Sequence, residues 1–80
     1  MDREELEKQK IATEHYISEC AVNITFQRAA FDQLEREGRC SKHTRAYLHT
    51  LLDSKRAAER DRERCIKQLK RGRWLWRVST

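Results

Sequence analysis

Residues Thr13, Ile17, Cys20, Ile24, Gln27, Phe31 and Leu34 fall at alternating spacings of four and three, with Leu6 ahead of them in the same pattern. That alternation brings one stripe of an α-helix back to the same side, turn after turn. A second run repeats it: Leu48, Leu51, Lys55, Ala58, Arg62, Cys65 and Leu69, widened by Leu52 and Ile66. No stretch alternates with the period of two that a half-buried strand needs. The chain has no proline and only two glycines in 80 residues, so little interrupts either run. The pattern predicts an all-α protein.

The break between the runs is short. Gly38 follows the last periodic residue of the first, where glycine can take the left-handed conformation of a helix C-cap. Ser41 precedes the second, and its hydroxyl is suited to accept from a free amide near residues 43 and 44. The spacing therefore predicts a helix over about 2–37, a turn over about 38–41 and a helix over about 42–71. Gly72 is expected to end the second helix, leaving 72–80 as a basic tail. So short a connection forces an antiparallel hairpin of coiled-coil type, with facing residues whose numbers sum to about 79. Phe31 then meets Leu48, Ile24 meets Lys55, Cys20 meets Ala58 and Ile17 meets Arg62. Lys55 and Arg62 occupy seam positions, where their stems can lie on Ile24 and Ile17 while their charges reach water.

Two helices make a thin core. A second apolar row (Tyr16, Val22, Phe26 and Ala30 on the first helix, Tyr47 and Leu52 on the second) calls for another surface. Dimerisation into a four-helix bundle is the simplest supply, and a heterologous helical partner is the other. The residues expected to carry packing and self-association are Ile17, Ile24, Phe26, Phe31, Leu48, Leu51 and Leu52.

Charge is unevenly spread. Residues 1–40 hold nine acidic and six basic groups, residues 41–80 four acidic and twelve basic. Arg56, Arg60, Arg64, Lys67 and Arg71 recur at helical spacing on one side of the second helix, and Arg73, Trp74 and Trp76 follow. Such a strip is a candidate for binding nucleic acid or an anionic membrane surface. Glu59 and Glu63 interrupt it, and no sequence-reading DNA-binding motif accompanies it. For the tryptophans three placements compete: folded back over the thin end of the core, set in a membrane interface, or presented to a protein partner.

Other chemistry finds little support. Cys40 and His43 form half of a zinc-site spacing, but no second pair follows. His15 is expected opposite Cys65, without a third group to orient the pair and without a glycine-rich loop. No catalytic, metal or cofactor residues are assigned, and no small-molecule substrate is expected. Three cysteines without close spacing argue for a reducing compartment. The opening "MDREELEKQK" has no apolar run of the kind a signal peptide carries. A cytoplasmic protein is expected.

His15, Ile17, Gln27, Arg28, Leu34, Arg36, Gly38, Ser41, Leu51, Leu52, Arg62, Arg64 and Leu69 carry a resemblance. Over about two thirds of its length the chain resembles short bacterial proteins of unknown function, mostly from alphaproteobacteria such as rhizobia. The resemblance implies a helical hairpin in a bacterial cytoplasm and implies no activity.

Overall fold

In the computed structural model, residues 2–79 are described, with side chains for 2–72. Two helices follow one another: α1 (Arg3–Arg36) and α2 (Lys42–Ser79). They pack side by side as a hairpin, 66 Å long and 15 by 14 Å across. Among the described residues there is no strand.

Each end of α1 is closed by its own sequence. Asp2 is the N-cap, and its carboxylate accepts from the Glu5 amide at 2.9 Å. Glu4 and Glu5 follow in the first turn, where negative charge meets the positive end of the helix dipole. At the other end Gly38 adopts φ +68°. The Arg39 amide then donates to the Leu34 carbonyl at 2.9 Å, and the Gly38 amide to the Glu35 carbonyl at 3.2 Å. This pair of bonds defines a Schellman motif, which satisfies carbonyls the helix would otherwise leave open.

The core is the expected seam. Leu6, Cys20 and Ile24 of α1 and Leu51, Ala58 and Cys65 of α2 are buried. Thr13, Ile17, Gln27, Phe31 and Leu34, with Leu48, Leu52, Lys55, Arg62, Ile66 and Leu69, are half-buried around them. Half of the buried set is small (two cysteines and an alanine), so the helices can approach closely but bury little area. Phe26 lies outside this seam, with 69% of its surface exposed.

Four expectations need correction. The register is tighter than a sum of 79: the contacts Glu35 with Ser41, Glu14 with Arg62 and Gln9 with Cys65 sum to 76, 76 and 74. The shift is three to five residues, about one helical turn, and it accompanies the Schellman bonds, which draw the chain back over α1 at once. Second, α2 does not stop at Arg71. It continues through Gly72 to Ser79. Third, the Ser41 hydroxyl does not cap through the amides of 43 or 44. It donates to Glu35 Oε1 at 2.5 Å, while the Ser41 carbonyl accepts from the Arg45 amide at 2.9 Å. Fourth, His15 does not face Cys65. Its Nε2 lies 2.9 Å from Glu19 Oε1 on the outside of α1, and the Cys65 thiol donates to Gln9 Oε1 at 3.7 Å.

Candidate interaction surfaces

A helix turns 100° per residue, so an antiparallel pair presents two flanks, one on either side of the seam, and two outer faces. The flanks of this hairpin differ sharply in charge.

One flank is charged and internally paired. Arg3 Nε lies 3.3 Å from Glu7, Lys10 Nζ lies 2.9 Å from Glu14, and Lys55 Nζ lies 2.7 Å from Glu59. Glu14 is the crossing point. Its Oε1 also faces Arg62 Nε of α2 at 3.8 Å. That oxygen is shielded from solvent. Lys10, with a smaller contribution from Arg62, holds the Glu14 carboxyl below its ordinary value, against the cost of desolvating it. Lys55 does the same for Glu59, with Arg56 adding to it. The two seam cations therefore end on carboxylates: Lys55 on Glu59, and Arg62 on Glu14.

The opposite flank is nearly neutral. A groove of about 390 Å³ runs along it, lined by Ala12, Thr13, Tyr16, Ser54, Ala57, Ala58 and Asp61. It continues towards the free end between Gln9 and Gln68. By helical position, Asn23 and Ala30 of α1 and Tyr47 and Thr50 of α2 extend the same flank towards the turn, with Phe26 at its outer edge. The walls are small or uncharged apart from Asp61 and Arg64, which pair with each other, and two tyrosines stand on it half exposed, Tyr16 at 46% and Tyr47 at 49%. The charge contrast between the flanks is readable from helical position, but only once the seam has been placed.

The outer face of α1 carries Ile11 and Val22, both exposed. The outer face of α2 carries the basic strip. Arg56, Arg60, Arg64, Lys67 and Arg71 are all exposed. Arg56 pairs with Asp53 at 3.9 Å and Arg64 with Asp61, both within α2. Arg60, Lys67 and Arg71 have no ion-pair partner among the described residues. The side chains of Arg73, Trp74 and Trp76 lie outside the described residues.

Cys20 and Cys65 are buried and unpaired, and Cys40 is exposed in the turn. Among the described residues no group of three His, Cys, Asp or Glu side chains is arranged to hold a metal. No helix of the described residues is long and apolar enough to cross a membrane.

Fold and surfaces together define the class: a two-helix antiparallel hairpin with one charged and one neutral flank. Compared with protein-family models, with curated proteins and with solved structures, the chain finds no match.

Proposed function

We propose that the chain is a small non-enzymatic interaction or scaffold protein that acts by helix–helix packing, with a second copy of itself or another helical protein as partner. One observation carries this reading. Ile11, Tyr16, Val22, Phe26 and Tyr47 all stay exposed after the hairpin has closed. Among the described residues six are buried, three of them small, which is little apolar area for a chain of this length. A second layer of helices, as in a four-helix bundle, relieves both conditions at once. A cytoplasmic setting belongs to the same reading, in keeping with the three free cysteines.

The test is solution mass by light scattering across a dilution series, with helix content followed on the same samples. Self-association predicts a mass above the 9.7 kDa of the single chain, and helix content that falls as the assembly dissociates. A stable, fully helical monomer at every concentration contradicts self-packing and leaves only a foreign partner.

A second reading rests on a different observation, the cations Arg60, Lys67 and Arg71 on the outer face of α2, which have no ion-pair partner among the described residues. A strip of this kind tracks phosphates or anionic headgroups, and its affinity falls steeply with salt. Replacing Arg60, Arg64 and Arg71 by Gln abolishes such binding without unfolding the hairpin. Absence of binding by the wild-type chain at low salt ends this reading.

A further inference from the structure

We propose that the neutral flank is the dimer interface, and that two copies pack there about a two-fold axis parallel to the hairpin, with both turns at the same end. The inference rests on the helix-packing reading above and adds to it the face, the occupant and the arrangement.

The choice of face follows from desolvation. Packing a second layer on the charged flank would bury Arg3, Glu7, Lys10, Glu14, Lys55 and Glu59, whose charges already satisfy one another facing water. Removing paired charges from water costs several kcal/mol per ion before any gain is made. The neutral flank costs less, because the charges that line its groove are the single pair Asp61 and Arg64. Its groove wall of Ala12, Ser54, Ala57 and Ala58 is low enough for another helix to come close, and Tyr16 stands beside it as a knob. A two-fold operation makes the contact reciprocal, each Tyr16 entering the groove of the other copy near Ala57 and Asp61.

The arrangement follows from charge. Residues 2–14 of α1 carry five acidic and three basic groups, and residues 60–71 of α2 carry six basic and two acidic. Residues 42–55 of α2 are also net basic, with three basic groups and one acidic. Two faces can stack with the turns together or with the turns opposed. Turns together lays α1 of one copy over α2 of the other at the same height. The acidic start of α1, with Glu5, then comes to the height of Arg71 of the second copy. Turns opposed lays α2 over α2, so that Arg64 and Arg71 face Lys42 and Arg45. Opposite charges favour the first arrangement and like charges disfavour the second.

Two variants and a native thiol test this. Ala57 is exposed in the single hairpin, so Ala57→Glu leaves the fold intact, since Glu is a good helix former. At the interface it buries an unpaired charge and weakens the dimer by about a hundredfold or more. Ala21→Glu makes the same chemical change on the charged flank and leaves the mass unchanged. Cys40 reads the arrangement. It is exposed in the turn, whereas Cys20 and Cys65 are buried. With turns together, a bismaleimide spanning about 10 Å, the spacing of packed helices, joins Cys40 to Cys40 in the wild-type dimer. With turns opposed the two thiols lie about 50 Å apart, the length of a 34-residue helix, and no such product forms. A Cys40–Cys40 product, with a helical monomer for Ala57→Glu only, is the expected result. A dimer that survives Ala57→Glu overturns the face. A dimer that yields no Cys40 product overturns the arrangement. Both of those outcomes leave self-association standing, whereas a monomeric wild type overturns the helix-packing reading itself.

Discussion

Ser41 donates its hydroxyl to Glu35 Oε1 at 2.5 Å, joining the last turn of α1 to the residue before α2. The bond does more than close the turn. The first turn of α2 has no acidic residue of its own. Glu35 brings a carboxylate to that end from the other helix, where the free amides and the helix dipole favour negative charge. Ser41→Ala is expected to destabilise the hairpin by about 1 kcal/mol, in the range of a lost N-cap. Glu35→Ala should cost a similar amount. Because the two act through one contact, the double variant costs less than the sum of the singles. Thermal or denaturant unfolding of the four chains closes the cycle, and simple additivity would show that the contact contributes nothing.

That contact also marks where the sequence stops being informative. Thr13 to Leu34 and Leu48 to Leu69 disclose the seam because heptad spacing is local and repeats many times. Gly38 discloses the turn because a left-handed residue after the last periodic position has few occupants besides glycine. Glu35 and Ser41 are six residues apart, and only the path of the turn decides that the hydroxyl meets a carboxylate rather than an amide. The register moved for the same reason, since it depends on which carbonyls Gly38 and Arg39 find. Gly72 lies inside α2 rather than at its end because glycine is tolerated inside a helix at modest cost, and residues 73–79 contain no proline to enforce an end. The two flanks became distinct only after Tyr16, Ala57 and Asp61 were brought around one groove.

Acid should loosen the hairpin. Glu14 and Glu59 both have carboxyls held below the ordinary value of 4.5, chiefly by Lys10 and Lys55 respectively. An unfolded chain therefore takes up protons at these sites before the folded one does. The stability they add is complete above 4.5 and disappears as the pH falls through the lowered folded values. Both side chains are partly exposed, so the effect is modest and shrinks with added salt. A melting temperature that drops on acidification, less so in Glu14→Gln, is the expected result. A melting temperature that rises over the same range contradicts it.

Core and surface aromatic or aliphatic residues should separate cleanly by substitution. Leu51 is buried at 9% exposure in the middle of the seam, and Leu51→Ala is expected to cost about 2–5 kcal/mol. Phe31 is half-buried near the turn, and Phe31→Asp places a charge in that layer and unfolds or dissociates the hairpin. Phe26 is larger than Leu51 but mostly exposed in the single hairpin. Phe26→Ala should therefore leave the unfolding of dilute, monomeric protein nearly unchanged while lowering the stability of concentrated samples. Equal losses for Leu51→Ala and Phe26→Ala at high dilution would contradict the placement of the seam.

The two glycines offer the sharpest contrast, because one substitution has opposite signs at the two sites. A Cβ built on either meets nothing within 4 Å, so sterics with neighbours decide neither case. Backbone conformation decides both. Gly38 sits at φ +68°, where an L-residue is strained, and the Schellman bonds of Arg39 and Gly38 fix it there. Gly38→Ala is expected to destabilise by about 1–2 kcal/mol, and Gly38→Asn by less, because asparagine tolerates the left-handed region. Gly72 lies within α2, whose interior favours alanine over glycine by about 0.5–1 kcal/mol. Gly72→Ala is accordingly expected to stabilise the helix and raise its signal in circular dichroism. A loss of helix on Gly72→Ala would mean that Gly72 closes α2 after all, as Gly38 closes α1.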